Sequence, residues 1–247
     1  MKKTYCIICI LLSFLTSLSS QEKHASFSER IKEREQLVNK EVKNYPGIRI
    51  SDKQVLDAMA TVPRHAFVPE EMQSYAYLNR PLPIGYDQTI SQPVIVASMT
   101  QLLEVEAGMR ILEIGTGSGY QAAILAELGA EVYSIEIIKE LGIKAERTLK
   151  ELGYSSVRVK VGDGYEGWPE FAPFDRIIVT CAPENVPEPL KEQVKAGGWI
   201  VIPVGAENEV QYLAVLKKSM KGSLKMDVKY PVRFVPMTGK ARNKREQ

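Results

Sequence analysis

Residues 110–120 read RILEIGTGSGY, an apolar run that carries one acid and leads into three glycines at alternate positions. An apolar pattern at helical spacing follows directly, from Ala122 to Leu128. This order predicts a buried parallel strand, a tight turn and a helix, which form the first half of a nucleotide-binding βαβ unit. Glycine suits such a turn because it adopts positive φ and lets a ligand lie against bare backbone.

The spacing of these glycines is G-x-G-x-G, whereas dinucleotide-binding dehydrogenases use G-x-G-x-x-G. The spacing therefore argues against a nicotinamide-dependent dehydrogenase. The shorter form, preceded by an acid in the strand, resembles the loop that holds S-adenosylmethionine in Rossmann-like methyltransferases. A purely structural glycine turn is the alternative that this motif leaves open by itself. The resemblance assigns these residues to cofactor binding: Glu113, Gly115, Thr116, Gly117, Ser118 and Gly119.

Two further acids end β-rich segments downstream of the glycines. Glu136 lies about 20 residues beyond Gly115, where Rossmann-type folds place an acid that accepts hydrogen bonds from ribose hydroxyls. A carboxylate suits this task because it only accepts hydrogen bonds. Asp163 follows the next β-rich segment, and the methyltransferase resemblance assigns Asp163 and Gly164 to the adenine end of the cofactor. A solvated strand end at Glu136 and an ordinary Asp-Gly turn are the alternatives.

The remaining apolar segments predict the rest of the sheet. Residues 174–182 are almost continuously apolar, as expected for a parallel strand covered on both faces. A fifth strand is expected over 199–203, and antiparallel strands are expected over 210–216 and 228–234. The predicted fold is an α/β, Rossmann-like, doubly wound sheet that is mostly parallel, with antiparallel C-terminal strands.

Upstream of the sheet, the pattern predicts a helical lobe. A surface helix is expected over 28–42, and Asp52 caps a second helix. Residues 70–93 are rich in aromatics and prolines and show little periodicity. The expected organisation is a signal-like or anchor segment (1–20), a linker (21–27) and a single methyltransferase domain (28–247), with an N-terminal lobe (28–93) and a core with C-terminal strands (94–240).

Composition limits the function further. The chain has 247 residues, of which 45% are hydrophobic and 25% charged, enough for one large domain with an added lobe. A net charge of +2 does not indicate a general nucleic-acid surface. Histidine occurs only at His24 and His65, and the sequence has neither Ser-His-Asp spacing nor metal-ligand spacing. We therefore expect no metal and no nucleic-acid partner.

The N-terminal segment has the pattern of a signal peptide. Lys2 and Lys3 precede an apolar run over 5–18, and small residues follow to Ser20. The run is too short for a comfortable transmembrane helix. Cleavage near Ser20 would leave Cys181 as the single cysteine, which excludes an internal disulfide. A working signal, an uncleaved anchor and a mis-assigned start all stay open.

Several separated segments together resemble the protein-L-isoaspartate O-methyltransferases, over nearly all of residues 30–240. Their joint order and spacing are highly specific, although each is short. The departure is the segment before about Gln21, because the family is typically cytoplasmic and lacks a leader. This places the location in doubt but not the chemistry. The matching segments are residues 62–69, 88–93, 112–123, 174–180, 202–205 and 234–238.

The resemblance implies methyl transfer from S-adenosylmethionine to the free α-carboxyl group of an L-isoaspartyl residue in a damaged peptide. It makes Ser91 the catalytic residue that orients this carboxylate, with Thr89 as a second hydroxyl. It also makes Val235 and Pro236 the wall of the peptide groove. From the residues alone, Ser91 belongs to an ordinary Ser-x-Pro turn. The implied partners are isoaspartyl peptides and proteins, and the expected state is a cytoplasmic monomer, with an exported or periplasmic form as the alternative.

Two other functions compete with this interpretation. Another class I methyltransferase could act on a small molecule or RNA, but amine methylation often needs an acid-Pro-Pro-aromatic loop after the fourth strand. The sequence has Thr180-Cys181-Ala182-Pro183 at that place, which argues against it. A non-catalytic binding protein on the same fold is the other alternative, and the intact glycine loop argues against it.

Overall fold

The computed structural model describes residues 24–206 and 208–239, so the signal-like segment 1–20, residues 21–23 of the predicted linker and the basic C-terminal tail 240–247 lie outside the described residues. In the described part, no helix combines the length and the apolar character needed to cross a membrane.

The strands are β1 (Leu82–Gly85), β2 (Gln88–Ile90), β3 (Arg110–Ile114), β4 (Glu131–Glu136), β5 (Arg158–Val161), β6 (Phe174–Val179), β7 (Val194–Val204), β8 (Gln211–Lys218) and β9 (Leu224–Val232). The α-helices are α1 (Ile31–Gln36), α2 (Lys53–Thr61), α3 (Pro93–Leu103), α4 (Tyr120–Glu127), α5 (Lys139–Glu151) and α6 (Glu188–Gln193). A π-helix, Leu37–Val42, continues α1, and 3-10 helices span Ala25–Phe27, Arg64–Phe67, Glu70–Tyr75, Gly164–Glu166 and Pro169–Phe171.

The main sheet has seven strands in the order β5-β4-β3-β6-β7-β8-β9. Strands β3 to β7 pair in parallel, and β8 and β9 add in antiparallel orientation. The chain runs outward from β3 through β4 to β5 and then returns to β6 on the other side of β3. This reversal makes the carboxyl ends of β3 and β6 a topological switch point, where open α/β sheets bind ligands. The predicted Rossmann-like sheet with antiparallel C-terminal strands is confirmed.

Hydrophobic residues cover both faces of the sheet. Successive residues of β3 point to opposite sides, so Ile111 joins one buried cluster while Leu112 and Ile114 join the other. The first cluster includes apolar residues of α2, α3, α4 and α5, and the second includes Leu190 of α6. A doubly wound sheet needs this double burial, because each face of a parallel sheet must be shielded from water.

The predicted helices of the N-terminal lobe are present with changed detail. Asp52 caps α2, since its side chain accepts hydrogen bonds from the backbone N–H groups of Gln54 and Val55 at 2.8 and 3.3 Å. The helix expected over 28–42 begins at Ile31 and changes from α to π geometry at Leu37.

The segment 70–93, which shows little periodicity in the sequence, contains the hairpin of β1 and β2. Its turn places Tyr86 and Asp87 at φ values of 54° and 56°, the left-handed pair that a two-residue hairpin turn requires.

The structure also corrects the start of the fifth strand. The strand was expected to begin at Trp199, directly after the pair Gly197-Gly198, but β7 begins at Val194 and includes both glycines. A Cβ atom at Gly198 would come within 2.6 Å of the backbone oxygen of Asp175. The glycine is therefore required by close packing of β7 against β6, and the strand register shifts at the same place.

Candidate active site

A cleft lies at the switch point of the sheet, outside the carboxyl ends of β3, β4 and β6. Its empty volume is about 870 Å³, including open solvent at its mouth. Its lining comes from β2, α3, the glycine loop, the ends of β4 and β6, and the segment after β9. The lining residues are Gln88, Thr89, Ile90, Ser91, Val96, Met99, Ile114, Gly115, Thr116, Gly117, Ser118, Tyr120, Gln121, Ile135, Glu136, Ile137, Ile138, Gly164, Thr180, Cys181, Val235, Pro236, Met237 and Thr238.

Thr180, at the end of β6, anchors the start of the glycine loop. Its hydroxyl is 2.6 Å from the backbone oxygen of Gly115 and 3.0 Å from that of Ile114. Gly115 has φ 93°, and a Cβ atom there would come within 2.6 Å of the Thr180 Oγ1. Only glycine therefore combines this backbone conformation with the close contact to β6. The loop backbone lies bare along the cleft as a result.

Glu136 joins the end of β4 to the glycine loop. It is 5% exposed, and its two carboxylate oxygens accept hydrogen bonds from the backbone N–H groups of Gly117 at 2.7 Å and Ile138 at 2.9 Å. Each carboxylate oxygen has a further lone pair, so the side chain keeps capacity to accept a hydroxyl from a ligand. The acid therefore lies in the cleft where the sequence predicted an acceptor for ribose.

Glu113 lies underneath the loop and does not line the cleft. It is fully buried, and its Oε2 accepts a hydrogen bond of 2.5 Å from the Ser134 hydroxyl, which is 2.6 Å from the Thr116 Oγ1. The other oxygen, Oε1, has no partner among the described residues. Burial raises the pKa of Glu113 to about 8, so the carboxyl group carries a proton at neutral pH. Its contact to the cofactor stays a prediction, and its geometry is that of a support for Thr116.

Asp163 and Gly164 form a tight junction beside β3. The Asp163 carboxylate accepts a hydrogen bond from the backbone N–H of Tyr165 at 2.9 Å, and this caps the 3-10 helix Gly164–Glu166. Gly164 lines the cleft, and a Cβ atom there would collide with the Cγ2 of Ile114. Asp163 itself is outside the set of residues that line the cleft, so its contact to adenine also stays a prediction.

Thr89 and Ser91 bring two hydroxyl-bearing side chains to the lining of the cleft. Thr89 is exposed on β2, and Ser91 follows β2 and is half-buried. Arg64 donates a hydrogen bond of 2.8 Å from Nη2 to the backbone oxygen of Ser91. The side-chain amide of Gln92, the next residue, donates at 2.9 Å to the backbone oxygen of Asn79. The backbone that carries Ser91 is therefore held on both sides.

The segment that follows β9 completes the cleft. The backbone N–H of Ala182 donates to the oxygen of Val235, and the N–H of Met237 donates to the oxygen of Ala182, both at 2.8 Å. This short parallel bridge joins the loop after β6 to Val235 and Pro236. Both residues line the cleft, and their role as a wall of the peptide groove stays a prediction.

The cleft brings together most residues that the sequence nominated. Glu113, Gly119 and Asp163 do not line it, since Glu113 is buried, Gly119 packs against Leu149 and Asp163 caps a helix. The lining residues that the sequence analysis did not nominate are Gln88, Tyr120, Gln121, Ile137, Ile138, Thr180, Cys181, Met237 and Thr238, besides buried apolar positions. Thr180 and Cys181 could have been predicted as site residues from the sequence, because they directly follow a buried parallel strand.

The electrostatics of the cleft do not favour nucleophilic or metal chemistry. Burial raises the pKa of the Cys181 thiol well above its usual range, so this sulfur stays protonated. Within residues 24–206 and 208–239, no group of three or more His, Cys, Asp or Glu side chains has the arrangement of a metal site. The polar groups that remain among the lining residues are hydroxyls, the side-chain amides of Gln88 and Gln121, backbone amides and the anchored carboxylate of Glu136.

The residues present fit S-adenosylmethionine. The loop Gly115–Gly117 offers bare backbone, Glu136 offers acceptor oxygens, and Ile137 and Ile138 offer apolar surface next to that acid. A glycine loop at the switch point with an acid at the end of the neighbouring strand defines a Rossmann-like, class I S-adenosylmethionine-dependent methyltransferase.

Comparison with known proteins places the chain more closely. Residues 32–242 match the family model of protein-L-isoaspartate(D-aspartate) O-methyltransferase (PCMT). The chain is 57% identical over 184 residues to a protein-L-isoaspartate O-methyltransferase of Gloeobacter violaceus, covering 74% of this chain and 89% of that protein. It is 52% identical over 216 residues to the protein of the same name in Opitutus terrae, covering 87% of this chain and 91% of the relative.

Solved structures agree with this placement. A protein-L-isoaspartate O-methyltransferase structure superposes with a TM-score of 0.76 at 31% identity, covering 86% of this chain and 69% of the other. A Plasmodium falciparum protein in complex with S-adenosyl-L-homocysteine has the same fold, with a TM-score of 0.72 at 24% identity, and the match covers 83% of this chain and 98% of that one. The chain belongs to the protein-L-isoaspartate(D-aspartate) O-methyltransferase family, and the family assignment made from sequence is confirmed.

Proposed function

We propose that this chain transfers the methyl group of S-adenosylmethionine to the free α-carboxyl group of L-isoaspartyl residues in damaged proteins. The observation that carries the proposal is one cleft lined both by the glycine loop with Glu136 and by the hydroxyl-bearing residues Thr89 and Ser91. Membership of the family supplies the substrate class. The methyl ester of an isoaspartyl residue cyclises to a succinimide without further help from the enzyme, and this opens a route back to aspartate.

The chemistry asks little of the protein beyond positioning. When bound, S-adenosylmethionine supplies an electrophilic methyl group on a positively charged sulfur. A substrate carboxylate is already ionised at neutral pH, so no side chain has to act as a general base. This requirement agrees with a cleft that has neither histidine nor a reactive thiol among its lining residues.

Ser91 is the residue that we propose orients the substrate carboxylate. Its hydroxyl has no hydrogen-bond partner among the described residues, and its backbone is fixed by Arg64. An anchored hydroxyl donates to a carboxylate oxygen with little loss of freedom, and such preorganisation lowers the barrier to an in-line reaction. Thr89 supplies a second hydroxyl nearer the solvent. On the cofactor side, Glu136 and the loop from Gly115 to Gly117 hold the methyl donor.

Selectivity follows from the shape of the groove in this proposal. Isoaspartate carries one additional methylene group in the main chain, so its free carboxyl group occupies a different place from that of aspartate. Val235 and Pro236 belong to a wall that backbone hydrogen bonds fix to the loop after β6. A rigid wall that holds the flanking peptide would bring only the isoaspartyl carboxylate to Ser91. Misplacement by about 1 Å costs on the order of a hundredfold in rate.

A matched pair of peptides tests this function. The purified full chain is supplied with S-adenosylmethionine labelled in the methyl group and with two peptides that differ only in aspartyl or isoaspartyl linkage. We expect rapid labelling of the isoaspartyl peptide and a rate lower by at least a hundredfold on its aspartyl twin. Equal labelling of the two peptides would overturn the proposed substrate.

We also propose that the chain acts as a monomer in the cytoplasm, where S-adenosylmethionine is made. The cofactor supply and the family resemblance support this location. The alternative is export, in which the segment before Gln21 acts as a signal peptide. Cell fractionation of the native host together with the first residue of the isolated protein separates the two, because export by a signal peptide predicts a start near Ser20, whereas cytoplasmic retention predicts an intact Met1 on protein in the soluble cytoplasmic fraction. Sedimentation of the same preparation gives the oligomeric state.

A further inference from the structure

Arg64 is a fully buried cation that sits next to the substrate side of the cleft. Its side chain is 0% exposed, and no carboxylate within the described ranges forms an ion pair with it. Burial without a counter-charge lowers the pKa of Arg64 to about 10, which still leaves the guanidinium protonated at neutral pH. Burying a charge in this way is unfavourable unless the N–H groups find acceptors, so the groups that Arg64 contacts show what the buried charge holds in place.

The contacts of Arg64 join elements that are distant in sequence. The Nε donates to the backbone oxygen of Ala76 at 3.0 Å, and Nη2 donates to the backbone oxygen of Ser91 at 2.8 Å. The guanidinium carbon lies 5.0 Å from the centre of the Tyr120 ring, within the range of a cation–π interaction. Tyr120 begins α4 directly after the glycine loop and lines the cleft. One side chain therefore contacts both the Ser91 segment and the residue that follows the glycine loop.

The third nitrogen of the Arg64 guanidinium, Nη1, differs from the other two in its hydrogen bonding. Nη1 is buried and has no hydrogen-bond partner among the described residues. Buried polar atoms without partners are rare in folded proteins, but Arg34 has one as well, so the inference rests on the contacts of Arg64 to the Ser91 segment and to Tyr120. A neutral side chain would avoid the cost of burying a charge. It would not provide a planar group that donates to two carbonyl oxygens and also packs against an aromatic ring, as a guanidinium does.

We propose that Arg64 is a positioning residue, which holds the backbone of Ser91 in the place where its hydroxyl meets the substrate carboxylate. This inference rests on the proposed function. Arg64 acts through Ser91 and touches no reacting atom. The glycine loop has its own anchors in Thr180 and Glu136, which do not involve Arg64. Loss of Arg64 should therefore slow methyl transfer without weakening the binding of the cofactor.

The test uses Arg64→Lys and Arg64→Met in the full chain. Lysine keeps the charge but cannot bond both carbonyl oxygens from one plane, and methionine removes the buried charge altogether. For each variant, calorimetry with S-adenosylhomocysteine gives the dissociation constant and the fraction of folded sites. The kcat on an isoaspartyl peptide is then expressed per site that binds this product. We expect kcat per site to fall about ten- to a hundredfold while the dissociation constant stays within about twofold of wild type.

Arg34 provides a matched control. It is 2% exposed, donates to the backbone oxygens of Phe27, Glu29 and Thr61, and also has one guanidinium nitrogen without a partner among the described residues. It does not line the cleft. Arg34→Lys should reduce thermal stability and leave kcat per site unchanged.

A double variant shows whether the effect passes through Ser91. If Arg64 acts by placing that residue, Arg64→Lys should cost less than threefold in kcat when Ser91 is already alanine, because contacting residues that act together are not additive. The inference is overturned by wild-type kcat per site in both Arg64 variants, by equal losses in Arg34→Lys, by full additivity with Ser91→Ala, or by variants that fail to bind S-adenosylhomocysteine. Inactive wild-type enzyme would instead contradict the proposed function.

Discussion

Replacement of Glu136 by glutamine tests how the cofactor side of the cleft is built. The carboxylate accepts from Gly117 at 2.7 Å through one oxygen and from Ile138 at 2.9 Å through the other. Glutamine has the same shape but only one acceptor oxygen, so its amide nitrogen must face one of these two N–H donors. The variant therefore loses one hydrogen bond to a charged group and gains a donor–donor contact.

The two backbone bonds are already present in the free protein, so weakening them mainly lowers the stability of the loop. The affinity falls because glutamine is neutral and offers the ribose hydroxyls fewer acceptor lone pairs, a loss of about 1–3 kcal/mol for bonds to a charged group. We expect Glu136→Gln to weaken binding by about 1–3 kcal/mol, which is roughly 5- to 150-fold in the dissociation constant. Calorimetric titration with S-adenosylhomocysteine measures the constant without turnover. Glu140→Gln is the control. Glu140 is exposed in the first turn of α5, so this substitution removes the same charge from a nearby position.

The result that would refute this reasoning is a folded Glu136→Gln protein whose dissociation constant lies within twofold of wild type. Such a result would remove the acid from the binding site and leave it a purely structural cap of the loop. A comparable weakening in Glu140→Gln would show that general electrostatics, not a direct contact of Glu136 with the ligand, controls affinity.

Three further variants test other parts of the account. Ser91→Ala should lower kcat/KM on an isoaspartyl peptide by about 10- to 150-fold, because the variant loses a hydrogen bond to a charged group. Its affinity for S-adenosylhomocysteine should not change, and full activity would reject the role assigned to Ser91. Gly164→Ala should destabilise the fold by about 1–3 kcal/mol through collision with Ile114, whereas Gly162→Ala, which meets only the flexible Lys160 side chain, should have a small effect on the melting temperature. Because burial raises the pKa of Glu113 to about 8, the folded state keeps a proton that the unfolded state releases, so wild type should lose stability relative to Glu113→Gln as pH rises from about 4.5 to 8. Urea denaturation at several pH values measures this difference, and parallel curves would contradict the buried, protonated state.

The sheet and the cofactor side of the site were predictable from local patterns. The apolar run before Gly115 and the helical spacing after it have one simple interpretation, and the acid at Glu136 follows at the expected distance. The parallel order then brings the strand ends to one edge. Thr180 was within reach of the same reasoning, since it ends a buried strand next to the switch point.

The substrate side was much less accessible to sequence reasoning. The hairpin of β1 and β2 turns through Tyr86 and Asp87, which carry no glycine to announce a left-handed turn. Arg64 is fully buried, although charged residues usually lie at the surface. Its proposed role in positioning Ser91 follows from a contact that exists only in the folded chain. Gly198 resembled a loop residue because its requirement, close approach to Asp175, arises between strands distant in sequence.

The position of the transferred methyl group tests the central claim most directly. An isoaspartyl peptide is incubated with the full chain and S-adenosylmethionine, the reaction is stopped at low pH to preserve the ester, and the product is fragmented in a mass spectrometer. The account predicts one methyl group on the α-carboxyl of the isoaspartyl residue. With Ser91→Ala, the amount of this product formed in a fixed time should fall in proportion to the lower rate of methyl transfer. A methyl group on any other carboxyl, nitrogen or sulfur of the peptide would contradict it.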